Sequence, residues 1–344
     1  MVKGDGDTQE DARQAERAQA QIALVLGGET RKRVLSRVYL SRSDNTSAVR
    51  SMAVQVWKTV VSVTPRTLRD ILQDLVSQIV IYLASGNPYQ TEVGGRCLGD
   101  VVSKLGESVL PEIIPVLRNS LYKGGKHTRQ GACIGLGEVI SCSSKEHIIK
   151  YLSIIVKAVQ DALCDEDDGV RSMAAGCFQS LYNLVGGRAL DEVVPTLLVA
   201  MQDDVDERTK SRALQGLTGI LSVRSRELLP YLLPRLLSRP ITAGHANALG
   251  TISSVTGSTI YVHYGSIIPT LISELSEING QSNEEEKVRE EALRSCARSI
   301  SGSVDTSGVN ILVSEITKRC TSDKAAVRRE SCWFLGVIPE ESEF

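Results

Sequence analysis

One short pattern recurs along the chain at a spacing of about forty residues. A basic or small residue is followed by a small residue three positions on and by an apolar residue seven positions on. Seven copies are clear, and a weaker eighth covers Thr242 to Leu249. The clear copies are Arg50/Ala53/Trp57, Thr91/Gly94/Leu98, Arg129/Ala132/Leu136, Arg171/Ala174/Phe178, Lys210/Ala213/Leu217, Arg289/Ala292/Cys296 and Arg328/Ser331/Leu335. This period suits HEAT or armadillo units and is too long for tetratricopeptide or ankyrin units, so it predicts an all-α solenoid of about eight two-helix repeats.

A second apolar element follows most copies of the first, which indicates that each repeat has a helix A, a turn and a helix B. Four of these elements contain a proline at the same place, namely Pro115, Pro195, Pro234 and Pro269. Proline is tolerated in the first turn of a helix, because the N–H that it lacks would have no partner there. We therefore expect these prolines to mark the starts of the B helices.

The turns carry residues that suit helix ends. Gly106, Gly186 and Gly187 follow predicted A helices, where a left-handed backbone conformation favours glycine. Carboxylates at 165–168 and 203–207 precede A helices and are expected to cap them.

The length of 344 residues would allow two or three globular domains. The even period instead predicts one continuous array over residues 29–338. Residues 1–28 fit the pattern poorly and are expected to form a frayed helical tail, and residues 339–344 a second tail. Because the pattern stops after an A helix near Ile338, we expect the chain to be a segment of a longer array.

Charge and hydropathy narrow the location and the partners of the chain. The net charge of −2 argues against binding nucleic acid through the overall charge. No apolar run reaches the length of a membrane span, and the first residues are charged, unlike a signal peptide. We expect a soluble, cytoplasmic protein that does not bind a membrane.

Residues that could do chemistry are scattered. No CxxC pair or metal-ligand spacing joins the cysteines, so we expect reduced thiols that pack as small apolar groups and no bound metal or cofactor. The histidines fall in different repeats, and nothing points to a catalytic triad. We expect neither catalysis nor a small-molecule substrate. The cysteines are Cys97, Cys133, Cys142, Cys164, Cys177, Cys296, Cys320 and Cys332, and the histidines are His127, His147, His245 and His263.

A glycine-rich stretch, Gly124 to Thr128, is similar to a phosphate loop, but Ser120 stands where the first glycine belongs and no strand precedes it. Shortly after it, Gly131, Gly135 and Gly137 are interpreted as small residues that let helix A lie close to its neighbour.

A block of basic residues between 208 and 239 is the strongest candidate for a binding surface. It holds seven basic side chains and a single acid, Glu227, and acidic runs flank it at 203–207 and 284–291. One interpretation is a solvated face with capping charges. The other is a surface for an acidic partner, either rRNA or a carboxylate-rich protein. The candidate residues are Arg208, Lys210, Arg212, Arg224, Arg226, Arg235 and Arg239.

The arginines that recur in the repeat pattern are interpreted differently, because they share one place in the unit and follow acidic or polar turns. We expect pairing within the array for Arg50, Arg129, Arg171, Arg289 and Arg328. Trp57 and Trp333 lie on A helices within the same pattern, which predicts core packing for both indoles.

Several longer strings resemble one family. These are 56–69, 98–106, 129–136, 162–165, 222–237 and 247–250, and the resemblance covers roughly residues 29–338. They are similar to the general-amino-acid-control family, giant HEAT-repeat scaffolds that activate the kinase of the α subunit of translation initiation factor 2.

The resemblance implies a segment of a ribosome-associated translational regulator acting in the amino-acid-starvation response. It implies stalled or collided ribosomes as partners, and also the kinase, through its RWD domain, although that contact could lie outside this chain. A general α-solenoid adaptor of the transport or phosphatase-scaffold type remains the alternative, because the fold alone would permit it.

Overall fold

A computed structural model of the chain describes residues 28–201, 205–278 and 284–338. The described part divides into two compact units, one up to Ala189 and one from Leu190 onward. Both are built from α-helices, and the described part of each contains one short 3₁₀ helix.

In the first unit, A and B helices alternate after an initial helix. The A helices α4, α6 and α8 stack side by side, while α3 packs between α1 and α4. The helices are α1 (Gly28–Ser41), α2 (Ser47–Val60), α3 (Thr64–Leu83), α4 (Pro88–Leu105), α5 (Leu110–Lys123), α6 (Lys126–Ser141), α7 (Lys145–Leu163) and α8 (Asp168–Val185), with a 3₁₀ helix at Gly106–Val109.

In the second unit the same alternation continues, and the A helices α11 and α13 pack closely on each other. Helix α9 (Gly187–Val199) begins at the end of the first unit. It is followed by α10 (Glu207–Leu236), α11 (Ala243–Thr256), a 3₁₀ helix at Gly257–His263, α12 (Tyr264–Glu277), α13 (Glu284–Gly302), α14 (Thr306–Cys320) and α15 (Ala325–Gly336).

The repeat pattern marks the inner faces of the A helices. At its small and apolar positions, Ala174 with Phe178 and Ala213 with Leu217 are at most 1% exposed. The weak copy is a true A helix as well, because Thr242 caps α11 and Leu249 is buried. The predicted fold, a HEAT-repeat α-solenoid, is confirmed.

Helix ends follow the predicted chemistry. The side chain of Asp167 accepts the Val170 N–H at the start of α8, and that of Asp206 accepts the Thr209 N–H at the start of α10. Gly106 and Gly186 end α4 and α8 with φ of 67°, a region that costs glycine least. The prediction was wrong for Gly187, which is the first residue of α9.

The prediction that prolines mark the starts of the B helices was wrong. Pro115, Pro195, Pro234 and Pro269 all lie inside their helices. In α5 the reason is visible, because the 3₁₀ helix ending at Val109 leads directly into Leu110, so the chain is already helical before Pro115. Pro115 is exposed, so water can bond the carbonyl that its missing N–H leaves without a partner.

Close approach at Gly131 is confirmed. A Cβ built on this residue would lie 2.0 Å from the carbonyl oxygen of Leu83, so α6 can rest against the end of α3 only with glycine here. A Cβ on Gly135 would lie 3.0 Å from both Leu117 and Leu83, whereas one on Gly137 would find ordinary contacts at 3.7 Å.

Three predicted features lie wholly or mostly outside the described residues. These are the tail at 1–28, of which only Gly28 is described, the tail at 339–344, and the caps at Asp203 and Asp204.

Candidate interaction surface

Four of the five recurring arginines bind the turn that precedes their own A helix. Arg50 Nη1 donates to the carbonyls of Asp44 and Asn45, at 2.7 and 2.8 Å. Arg171 Nη1 donates in the same way to the Asp165 carbonyl at 2.7 Å. Because the arginine lies five or six residues after the turn carbonyl in each of these four repeats, the contact recurs among them.

Two further members of the series repeat it. Arg129 reaches the Gly124 carbonyl, and its Nε and Nη2 also hold the Asp165 carboxylate at 2.8 and 2.9 Å. Arg328 binds the carbonyls of Ser322 and Asp323. The pairing of these arginines within the array is thus confirmed, with turn carbonyls as the more regular partners.

The two tryptophans differ. Trp57 is 3% exposed and packs edge-on against Tyr39, as predicted for a core residue. The prediction was wrong for Trp333, which is only half-buried and lies beneath the guanidinium of Arg294, 4.4 Å from the ring centroid. The neighbouring Phe334 takes the core position.

Six of the seven candidate basic residues lie on α10, and Arg239 follows that helix. Arg224 has non-helical dihedral angles, φ −140° and ψ 45°, so it separates an A half from a B half of α10. Arg208 and Arg212 are four residues apart and share a face of the A half. Arg226 and Arg235 lie on the B half.

Three of these cations are paired with carboxylates inside the second unit. Lys210 Nζ lies 2.8 Å from Glu207, and Arg224 Nη1 lies 3.2 Å from Glu227. Arg239 pairs with two acids of α12, Glu274 at 2.5 Å and Glu277 at 2.6 Å. The Arg239 guanidinium correspondingly holds the pKa of the Glu277 carboxyl below its usual value.

Glu274 is the centre of a buried network. Its side chain is 1% exposed, and it accepts from Arg239, from Arg289 and from the N–H of Ile241, the last at 3.1 Å. Arg289 also donates to the Ile241 carbonyl at 2.7 Å. Arg239 is therefore a structural residue that ties the turn before α11 to α12.

Three of the remaining candidates are exposed. Arg208 and Arg226 are exposed and make no ion pair with any residue of the described part of the chain. Arg235 is exposed and lies 4.1 Å from the centroid of the Tyr231 ring. Arg212 is half-buried. Of the seven candidates, the structure leaves Arg208, Arg226 and Arg235 most open to a partner.

The cysteines pack as predicted where they are buried, as at Cys97, Cys133, Cys177 and Cys296. Burial raises the pKa of the thiols of Cys97, Cys177 and Cys296 to about 12. These thiols stay protonated and are poor nucleophiles. Cys332 is exposed. Among the described residues, no three His, Cys, Asp or Glu side chains gather in a way that could hold a metal ion.

None of the helices in residues 28–201, 205–278 and 284–338 combines the length and the apolar character that crossing a membrane requires.

Comparison with known proteins gives a consistent set of similarities. Residues 228–344 match the family described as "Stalled ribosome sensor GCN1-like, HEAT repeats". The eIF-2-alpha kinase activator GCN1 of Dictyostelium discoideum is 38% identical over 315 residues, 92% of this chain and 12% of the relative. Human Stalled ribosome sensor GCN1 is 35% identical over 322 residues, 94% of this chain and 12% of the relative. Among solved structures, the crystal structure of Kap121p aligns with 96% of this chain and 36% of the Kap121p chain. The alignment has 16% sequence identity and a TM-score of 0.41.

Sequence similarity to these relatives and the helical fold place the chain among the HEAT-repeat proteins. Within this class it is a GCN1-like HEAT-repeat segment. The chain spans 12% of the length of the curated relatives cited above.

Proposed function

We propose that this chain serves as a scaffold segment of a cytoplasmic, ribosome-associated translational regulator that activates the initiation factor 2-alpha kinase during amino-acid starvation. The observation that carries the proposal is 38% identity, over 92% of the chain, to a protein named for activation of that kinase. A second relative is named as a sensor of stalled ribosomes. The proposed partners are therefore a stalled or collided ribosome and the RWD domain of the kinase.

The exposed arginines of α10 supply the contact surface in this proposal. Arg208, Arg226 and Arg235 present cations that no carboxylate of the described residues neutralises. Ribosomal RNA is a polyanion, and arginine binds phosphate through a planar, bidentate guanidinium. Arg239, held by Glu274 and Glu277, contributes through the fold and not through contact.

We also propose that residues 29–338 act as one array. The sequence pattern supports this, because copies occur on both sides of Ala189 with a mean spacing of about forty residues. A single cooperative unfolding transition by calorimetry is expected. Two transitions at clearly separate temperatures would contradict a single array.

Cosedimentation of the purified chain with single and with collided ribosomes, over a salt series, tests the ribosomal contact. We expect binding that weakens as salt rises and that is lost when Arg208, Arg226 and Arg235 are all changed to Glu. The matched control reverses three exposed arginines of the first unit, Arg66, Arg69 and Arg118, which changes the net charge equally.

Each outcome has a distinct meaning. Equal loss in both triple variants would reject the α10 surface in favour of general charge attraction. If the wild-type chain binds neither ribosomes nor the purified RWD domain, contact by this segment is rejected. Binding to the RWD domain alone would make the kinase the partner of this segment.

A further inference from the structure

A groove in the first unit lies between the A helices α4, α6 and α8 and has a volume of about 590 Å³. Clefts that bind ligands commonly have volumes of about 300–1,000 Å³. Its apolar lining includes Leu83, Ile134 and Met173. Met173 is 36% exposed, so apolar surface is open to solvent here.

Glycines shape this groove. Gly131 lets α6 lie against the end of α3, because any side chain there would meet the Leu83 backbone. Gly95, on α4, leaves a smooth backbone surface facing α6. A Cβ on Gly95 would lie 3.4 Å from Cγ of Glu138, and one on Gly99 would lie 3.4 Å from Glu138 Oε2. Gly95 and Gly99 thus form a glycine face on α4, and the Glu138 side chain lies across it.

Glu138 is half-buried, and its carboxylate has neither an ion-pair nor a hydrogen-bond partner in the described part of the chain. The other acids near the groove are satisfied. Glu92 accepts from Asn45 at 2.8 Å and pairs with Arg96 at 3.4 Å. Asp167 pairs with Lys126 at 2.9 Å.

This difference matters because a carboxylate partly removed from water loses hydration that a cation can replace. The cations nearest the groove are already engaged by other carboxylates. A ligand that brings its own cation to Glu138, with an apolar group for the lining, would satisfy both features of the groove at once. A phosphate would instead meet Glu92 and Glu138, so charge disfavours nucleic acid as the occupant.

We propose that this groove docks a segment of a partner protein that presents an arginine next to an aliphatic side chain. The guanidinium binds the Glu138 carboxylate across the glycine face of α4. The aliphatic side chain packs on Ile134 and Met173. This site lies in the first unit and does not depend on the arginines of α10, so it stands or fails separately from the ribosomal contact.

Selection from a random linear peptide library displayed on phage, with the full chain as bait, tests the proposal. We expect enriched peptides to carry arginine beside leucine, isoleucine or methionine. The best peptide, synthesised with a fluorophore, should bind at least about tenfold more weakly to Glu138→Gln by anisotropy. Glu138→Arg should prefer the same peptide with glutamate in place of its arginine, because the charge pair is reversed.

Glu112→Gln, a change of an exposed acid on α5, is the matched control and should bind the peptide like wild type. The proposal is overturned if selection enriches no arginine-bearing sequence, or if Glu138→Gln binds the peptide like wild type. Competition of the peptide by single-stranded poly(U) would assign the groove to nucleic acid. A dimer in sedimentation that Glu138→Arg dissociates would assign it to a second copy of this chain. Either result rejects the proposed occupant.

Discussion

Glu274 on α12 and Glu138 on α6 are both carboxylates drawn at least partly out of water, yet their surroundings differ completely. Glu274 is 1% exposed and has two arginines and a backbone N–H as partners. Glu138 is half-buried across a glycine face and has no partner in the described residues. The Glu274 carboxylate holds helices and a turn together, whereas the Glu138 carboxylate remains available to a cation from a partner.

The same distinction separates the arginines. Arg129 and Arg171 bind turn carbonyls and carboxylates of their own array. Arg208 and Arg226 extend into solvent. Charge alone does not identify a contact residue in a solenoid, because many charged side chains are already paired within the repeats. The residues that the fold leaves open are the better candidates for binding.

The largest effect that would test this contrast is expected at Glu274. Glu274→Ala leaves Arg239, Arg289 and the Ile241 N–H without their shared acceptor, and removing one member of a buried ion network costs about 3–5 kcal/mol. Urea unfolding followed by circular dichroism measures the loss. Glu277→Ala is the control, because its side chain is 63% exposed, and it should change stability by less than about 0.5 kcal/mol. Equal effects of the two changes would show that Glu274 is not a structural centre.

A smaller loss is expected at Gly131, which sets the wall of the groove where Glu138 lies. Gly131→Ala forces a methyl group onto the Leu83 backbone, and overpacking of this kind costs about 1–3 kcal/mol. Gly137→Ala meets nothing closer than 3.7 Å and should stabilise helix α6 by up to about 1 kcal/mol. Thermal denaturation of the two variants compares them directly. Destabilisation by Gly131→Ala together with stabilisation by Gly137→Ala would support the close approach of α6 to the end of α3. Stabilisation by Gly131→Ala would contradict it.

The next comparison is between Arg129, which is hydrogen-bonded within the array, and Arg208, which is exposed. Arg129→Ala removes the bonds to Asp165 and Gly124 from a side chain that is 17% exposed, which should cost roughly 1–2 kcal/mol. Arg208→Ala should stay within about 0.5 kcal/mol of wild type. The free energy of unfolding in urea measures both. A loss at Arg208 as large as that at Arg129 would remove the distinction.

The smallest effect is expected for Glu138→Gln. Glutamine keeps the shape of the side chain, and no internal partner of the carboxylate is lost, so stability should fall by no more than about 0.5 kcal/mol. Peptide binding should nevertheless weaken. A clear drop in the thermal midpoint of this variant would reveal an internal role for Glu138 and count against an open carboxylate.

Sequence reasoning performed best where the physics is local and periodic. The A helices follow from small and apolar residues on one face, and the caps at Asp167 and Asp206 from carboxylates just before helix starts. Gly131 could be interpreted correctly, because a glycine inside a helix costs stability and therefore points to a close neighbour.

Sequence reasoning failed where the role of a residue depends on the element that precedes it or on contacts with other repeats. Pro115 resembled a helix start, because nothing in the sequence shows that a 3₁₀ helix already leads into α5. Trp333 fitted the repeat pattern, yet Phe334 occupies the core.

The candidate surface shows the same limit. The basic block looked uniform, but Arg239 is held by Glu274 and Glu277 on α12, more than thirty residues further along the chain. The groove at Glu138 was not predicted, since it is formed by three helices from successive repeats. Of the three glycines that sequence reasoning interpreted as allowing close approach, only Gly131 lines the groove.

The salt dependence of ribosome binding tests the central claim most directly, namely that arginines left open by the fold make the contact. The slope of the logarithm of the binding constant against the logarithm of salt concentration counts phosphate contacts. For Arg208→Gln/Arg226→Gln the slope should become shallower by about one to two units. For Arg239→Gln, whose guanidinium is already neutralised by Glu274 and Glu277, it should stay as in wild type. An unchanged slope in the double variant, or an equal change in Arg239→Gln, would contradict the account.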